Sequence, residues 1–456
     1  MIHSYQLNGY NIVLDVNSGA VHVLDSLSYQ IVNALEEGNV PETCPDAIVE
    51  RLAPEYGEDK VLEAYGEIYE LYQADLLFSK DEYEKFASMM TSAPIKAMCL
   101  HIAHDCNLRC GYCFAAQGDF GHGRKLMPVE IGKKAIDFLI EHSKGRRNLE
   151  VDFFGGEPLM NFDAVKEVVR YARSLEKEHN KNFRFTTTTN GLLLDDDNID
   201  FINKEMNNVV LSIDGRPEVN DRLRYTPNGK GSYDVILPKF KKLVERRGDK
   251  EYYVRGTFTK YNLDFANDVE HLYEAGFDQI SVEPVIADHK IPYALTEADL
   301  PRIYDEYDHL ALKMIERKKS GKCYNFFHFM LDLDQGPCAI KRLRGCGCGN
   351  EYVAVTPEGD IYPCHQFVGF EDWKMGNLLE GTFDTERKKQ FAQANVYTKE
   401  DCRNCWAKFY CSGGCNANNN EFTGDILKPY KLSCDLEKKR LECAIMIKAA
   451  MADCAE

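Results

Sequence analysis

Apolar and polar positions alternate in two distinct ways along the chain. From residue 97, the stretches AMCLHIA, LEVDFFG, FRFTTTT, NVVLSID, YYVRGTF and QISVEPV have the composition and short period of strands. Between them lie segments of helical period, such as VEIGKKAIDFLIEHSK and DAVKEVVRYARSLEKEH. Strands taking turns with helices make parallel β/α units, and six units fall short of the eight that close a full barrel. Residues 97–297 therefore predict a partial (β/α)6 barrel of the α/β class. Such folds place their chemistry at the C-terminal strand ends, where polar and glycine-rich residues collect here.

Residues 1–80 carry another pattern. YQLNGYNIVLDV and AVHVLD predict strands joined by Asn17, Ser18 and Gly19, and SLSYQIVNALEEG, PDAIVERLAPEYG and VLEAYGEIYELYQADLLF predict helices. This is a β-then-α module of winged-helix size. The charged stretch around SKDEYEKF opens a linker over 81–96, and residues 298–335 predict a mainly helical bridge. Residues 336–456 are rich in Cys and Gly, with few long periodic segments before a final helix near 434–451. Such a composition predicts a segment held by metal rather than by a core of its own.

Composition narrows the partners. A net charge of −18 over 456 residues disfavours nucleic acid, whose binders present a basic face. Lys144, Arg146 and Arg147 read as a solvated loop. No window is apolar enough for a membrane span, and MIHSYQLNGY lacks the layout of a signal peptide, so a cytoplasmic protein without a membrane partner is expected. Seventeen cysteines in a reducing compartment point to metal ligation rather than disulfides.

The first cysteine group, Cys106, Cys110 and Cys113 in HDCNLRCGYCFA, follows the first barrel strand. Three thiolates on one loop can hold three irons of a [4Fe–4S] cubane and leave the fourth open. Zinc sites commonly pair two Cys-x2-Cys knuckles or add histidines, and neither pattern fits here. The spacing, with Tyr112 before the last cysteine, resembles the radical S-adenosylmethionine (SAM) superfamily. The resemblance implies SAM on the open iron and a 5′-deoxyadenosyl radical. Gly155, Gly156, Glu157 and Pro158 match the GGEP motif of that family, in which Glu157 would face the methionyl amine. Thr188, Thr189 and Asn190, then Ser212 and Asp214, end the next two strands and would serve SAM in the same way. Arg224 would clamp its carboxylate, and Glu283 would line the adenosine or substrate pocket.

Cys402, Cys405, Cys411, Cys415 and Cys434, preceded by Cys364 and by Cys346 or Cys348, resemble the SPASM domain, which carries two auxiliary clusters. Its interleaved pattern implies Cys402, Cys405, Cys411 and Cys434 on an outer cluster. Cys346, Cys364 and Cys415 would bind an inner one, with Cys338 or Cys348 as a possible fourth ligand. The resemblance thus implies three [4Fe–4S] clusters. Cys44, Cys99, Cys323, Cys443 and Cys454 fit no spacing and read as structural.

Residues 1–80 resemble the leader-recognition module of ribosomal-peptide maturases, which captures a peptide as an added strand. With GPCAIKRLRGCGCGNEYVAVTPEGDIYPCHQFVG, the whole chain resembles the thioether-forming maturases of SCIFF (six cysteines in forty-five) peptides, of the sactipeptide and ranthipeptide type. That implies bonding of a cysteine sulfur to an α-carbon, often of threonine, in a cysteine-rich precursor, with flavodoxin or ferredoxin as electron donor. The related sulfatase-maturing branch has an aspartate after the cysteine equivalent to Cys364. His365 stands here, as a candidate proton acceptor or a structural histidine. A maturase of another peptide or protein and a noncatalytic iron–sulfur or zinc scaffold are the alternatives.

Overall fold

The computed structural model describes residues 1–36, 39–87, 89, 92–333 and 339–452. Strand β1 (Ile2–Leu7) turns into β2 (Tyr10–Asp15) through Asn8 and Gly9, both at positive φ, 50° and 88°. Left-handed dihedrals at both turn residues match the twist of the paired strands, and Asn-Gly adopts them at little cost. With β3 (Val21–Leu24) antiparallel to β2, the two strands expected from sequence become three. Helices Ser26–Ala34, Asp46–Tyr56 and Glu58–Gln73 follow. They bury Ile31, Ile48, Val61 and Tyr65 together with Val13 of the sheet.

The stretch expected as a linker is fastened at its start. Asp81 accepts from Tyr397 Oη at 2.6 Å and pairs with Lys408 at 2.7 Å, while Glu84 pairs with Arg403. The first module also docks on the C-terminal region: the rings of His3 and Trp406 stack at 3.8 Å, and Tyr5 Oη donates to Glu442 O at 3.0 Å.

All six expected barrel strands are present. They are β4 (Ala97–His104), then, after a short β5 (Lys125–Leu126) antiparallel to it, β6 (Asn148–Gly155), β7 (Asn182–Thr189), β8 (Asn208–Ser212), β9 (Tyr253–Phe258) and β10 (Gln279–Pro284). The six run parallel in the order β4-β6-β7-β8-β9-β10. Along β6, Leu149, Val151 and Phe153 are buried against the helices, whereas Glu150, Asp152 and Phe154 point the other way and stay open. The same alternation in β7 leaves Arg184, Thr186 and Thr188 on that second face. An incomplete barrel thus has one dry face and one polar, accessible lumen.

The sheet does not end at residue 297. β11 (Asn325–Phe326) adds to β10, so the 298–335 segment contributes a strand besides its helix Leu300–Lys319. On the other side β12 (Tyr352–Val355) runs parallel to β4, with Tyr352 opposite Ala97 and Val355 opposite Leu100. β13 (Asp360–Tyr362), β14 (Gly376–Asn377) and β15 (Thr382–Phe383) continue it antiparallel. Residues beyond 336 are therefore not left to metal alone. Phe367, Trp373 and Phe391 pack ring to ring at 4.9–5.7 Å within a buried cluster shared with Cys99 and Phe120 of the barrel. The last helix, Lys431–Ala452, packs on Leu300–Lys319 and on β1 and β2. Among the described residues no helix is long and apolar enough to cross a membrane.

Candidate active site

The register of β4 against β6 shifts between His101 and Ala103, just before the first cysteine loop. Such a bulge bends its strand and re-aims the residues beyond it. The loop is then pinned by its backbone: Arg109 N donates to Tyr225 O at 2.7 Å, Gly111 N to Leu223 O at 2.8 Å, and Gly111 O accepts from Tyr293 Oη at 2.8 Å. Cys106 Sγ faces Leu108 N at 3.4 Å and Asn190 Nδ2 at 3.6 Å. Burial, then the charge of Glu157 and the neighbouring thiols, pushes Cys106 up to about 12, and burial raises Cys110 to about 11. Thiols held up in this way ionise only around a cationic centre, and the N–H···S contacts suit a thiolate. The donor set fits an iron–sulfur group. Among the described residues no three His, Cys, Asp or Glu side chains close on the volume of a single metal ion.

The two glycines of GGEP act on the protein itself. A Cβ on Gly155 would stand 2.3 Å from Ala103 O, and one on Gly156 would stand 2.2 Å from Asp105 O. Gly156 N donates to Ala103 O at 2.7 Å and Glu157 N to Asp105 O at 2.8 Å. The missing side chains thus let this segment pack against the root of the cysteine loop. Glu157 is buried, which raises its pKa, and three donors oppose that: Leu159 N at 3.0 Å, Thr189 Oγ1 at 2.8 Å and Asn190 N at 2.8 Å. Its carboxylate is fixed before any ligand arrives.

Tyr112, Asp214 and Arg224 form a buried triad. Tyr112 Oη contacts both Asp214 oxygens at 2.8 and 2.7 Å, Arg224 Nη1 donates to Tyr112 Oη at 2.8 Å, and Arg224 lies 3.7 Å from Asp214. Arg224 Nε is buried without an acceptor among the described residues. A buried guanidinium N–H is rarely left unpaired, so an anionic ligand atom fits there. This orphan donor is the observation that best suits the SAM carboxylate.

A cavity of about 750 Å³ gathers most of the expected residues: Cys106, Cys110, Cys113, Tyr112, Gly155, Gly156 and Glu157, with Thr188, Thr189, Asn190, Ser212, Arg224, Glu283 and His365. Asp214 lines a smaller neighbouring cavity of about 320 Å³. Burial, with Arg255 adding to it, lowers His365 to about 4, leaving a neutral and weakly basic imidazole. Glu283 sits against Arg255, with Arg255 Nε donating at 3.1 Å. Burial opposes that carboxylate, yet the guanidinium holds it down at about 2.

Sequence reasoning missed Asp152 and Arg255, both of which line the cavity. The available signal was charge at alternate positions of a largely apolar strand, Glu150 and Asp152 in LEVDFFG and Arg255 in YYVRGTF. Burial, then Glu150, raises Asp152 to about 7, against hydrogen bonds from Thr186 and Tyr352. A carboxyl raised on folding holds a proton that the unfolded chain has already released between about pH 4 and 7. Stability from this group is full below pH 4 and falls through that window by up to about 1.4 kcal/mol per pH unit. Urea midpoints of D152N should therefore gain on wild type as pH rises from 4 to 7, then run parallel. A constant gap would refute the assignment.

The later cysteines gather into two sets. Cys348 lies close to Cys364, Cys346 and Cys415, and Cys364 in turn acts on Cys346 and Cys415. Cys402, Cys405, Cys411 and Cys434 act on one another. Cys348 thus stands beside the three expected inner ligands, while Cys338 and Cys454 lie outside the described residues. Cys443 donates to Asp308 at 3.4 Å, and Cys323 is exposed. His365 and Gln366, next to Cys364, line the large cavity, so it reaches from the first cysteine loop to the edge of the inner set.

Residues 100–282 match the family model of the Radical SAM superfamily, and residues 346–406 match an iron–sulfur cluster-binding domain, SPASM. A cysteine-type anaerobic sulfatase-maturating enzyme of Clostridium novyi is 24% identical over 335 residues, covering 69% of this chain and 86% of its own. The radical SAM cyclopropyl synthase TigE of Paramaledivibacter caminithermalis is 23% identical over 385 residues, covering 79% and 76%. Among solved structures, anSMEcpe with bound AdoMet and Kp18Cys peptide superposes with a TM-score of 0.65 at 19% identity, over 79% of this chain and all of that one. Streptococcus suis SuiB bound to precursor peptide SuiA gives 0.52 at 17%, over 92% and 95%. These two likenesses show the fold. The chain carries a radical SAM domain followed by an iron–sulfur cluster-binding domain.

Proposed function

We propose that this radical SAM chain is a peptide maturase that joins a cysteine sulfur to an α-carbon in a ribosomally made, cysteine-rich precursor. One observation carries the reading: a single cavity is lined by Cys106, Cys110 and Cys113 and by the residues flanking the inner cysteine set. A sulfatase-maturating relative and a fold neighbour bound to a precursor peptide support the substrate class. The module over residues 1–80, in which β1 and β3 are the outer strands of a three-stranded sheet, is the proposed leader-binding element.

Bound SAM, reduced through the first cluster, would supply a 5′-deoxyadenosyl radical. Arg224 Nε and Glu157 would bind its carboxylate and amine, and Ser212, Thr189 and Asn190 would orient the rest. Crosslinking would remove two hydrogens from the substrate, one as an atom from the α-carbon and the other as a proton from the thiol, and a bound iron–sulfur group would supply the acceptor for the electron left over. Asp152, near 7, is the lumen carboxylate suited to take that proton at neutral pH. His365, near 4, is a poorer acceptor. Coexpression with a cysteine-rich precursor encoded nearby is the test. Mass spectrometry should show loss of two hydrogens per crosslink, and an unchanged mass or an aldehyde would reject the reading. An aldehyde would favour the sulfatase-maturase alternative, which replacement of the branch's aspartate by His365 speaks against.

A further inference from the structure

Lys399 precedes the short helix Glu400–Arg403, which carries Cys402, and its side chain turns inward to 1% exposure. Nζ donates to Gly413 O at 2.6 Å and to Asn416 Oδ1 at 2.7 Å. Both acceptors are neutral. Ser412, Gly413 and Gly414 all take positive φ, 60°, 89° and 70°, which curls the chain between Cys411 and Cys415 around the ammonium. A Cβ on Gly413 would lie 3.3 Å from Nζ. Cys411 belongs to the outer set and Cys415 to the inner one, so this lysine grips the loop that connects the two.

Burial works against its charge, and the groups that favour it are the thiols of Cys402, Cys411, Cys415 and Cys346, two from each set. Among the described residues no carboxylate pairs with it. An isolated ammonium in a protein interior is costly unless an anion lies close by. Here the anions on offer are the two sets of cysteine sulfurs. A fixed positive charge between two iron–sulfur groups stabilises the reduced, more negative form of each, since cluster potential follows net charge and hydrogen bonding to sulfur.

We propose that Lys399 is a positioning residue shared by the two auxiliary cysteine sets, holding the 411–416 loop and raising the reduction potential of both clusters together. This rests on the reading that each set binds a cluster. Iron and sulfide analysis of the reconstituted full-length chain tests that reading alone: fewer than about eight irons beyond the first cluster would sink it. EPR-monitored redox titration then tests Lys399, in a C106A/C110A/C113A background that silences the first cluster. K399M and K399Q should shift both auxiliary couples to lower potential, by at least tenfold in the reduced-to-oxidised ratio, about 59 mV for one electron. K399R should restore both. Unmoved potentials, or a shift confined to one couple, would overturn the shared role. Loss of auxiliary iron from both neutral variants would overturn the tuning role and leave a scaffold lysine.

Discussion

Alanine at Cys106, Cys110 or Cys113 is expected to bring reductive cleavage of SAM below detection and to remove about four irons per chain. The loss should exceed about 100-fold, because even the outer-shell partners of metal ligands are worth 10–100-fold. The geometry gives the reason. The loop is held at three backbone points, by Tyr225, Leu223 and Tyr293, so it cannot relax to recruit a substitute donor. The next thiol lining the cavity, Cys99, is rooted in β4 and buried. C323A, on an exposed site, is the control that should retain cleavage. Chromatographic 5′-deoxyadenosine with iron analysis decides the matter, and cleavage surviving in C110A would dismiss the assignment.

Arg224→Met is expected to cost about 3–5 kcal/mol of stability and to abolish SAM binding as well. The guanidinium, 7% exposed, is the cation beside Asp214, itself 1% exposed. Burial already raises the Asp214 carboxyl, and Arg224 and Tyr112 oppose that rise. Removing the cation leaves an uncompensated buried acid, which is the expensive way to break a buried pair. Arg224→Lys should recover only part of the loss, since an ammonium cannot reproduce the fork that reaches Tyr112. Adding D214N to R224M should return much of the stability without returning SAM binding. A penalty below about 1 kcal/mol for R224M in anaerobic denaturation would mean the triad is not a paired unit.

Most of the barrel was legible because its strands are at least five residues long and β6, β7, β8 and β9 alternate, enough for a period of two to show, while β4, buried throughout, reads as a short apolar run. β13, β14 and β15 have two or three residues each and carry no period at all; only their pairing onto β12 makes them strands. The Asn8-Gly9 turn was legible and passed over, because the apolar run around it reads as one strand. The cysteine sets were readable from spacing, while Cys348 became a member of the inner set only through the turn at Gly347 and Gly349 that brings it to Cys364. Lys399 could not be read, since a lysine in a polar, cysteine-rich stretch looks like surface until Gly413 and Asn416 are found on its Nζ. The glycines of GGEP carry a second demand that the motif alone does not show: their missing Cβ atoms make room for the backbone of Ala103 and Asp105.

The pairing of β12 with β4 joins residues that are about 250 positions apart. At roughly 5–20 residues per second on the ribosome, tens of seconds pass between synthesis of one strand and synthesis of the other. Through that interval β4, buried over all eight of its residues in the finished fold, has an open edge. An apolar strand edge is a template for pairing with other chains. The edge of β4 is therefore closed only once the cysteine-rich segment emerges, so completion of the sheet and of the later cysteine sets falls in the same late window.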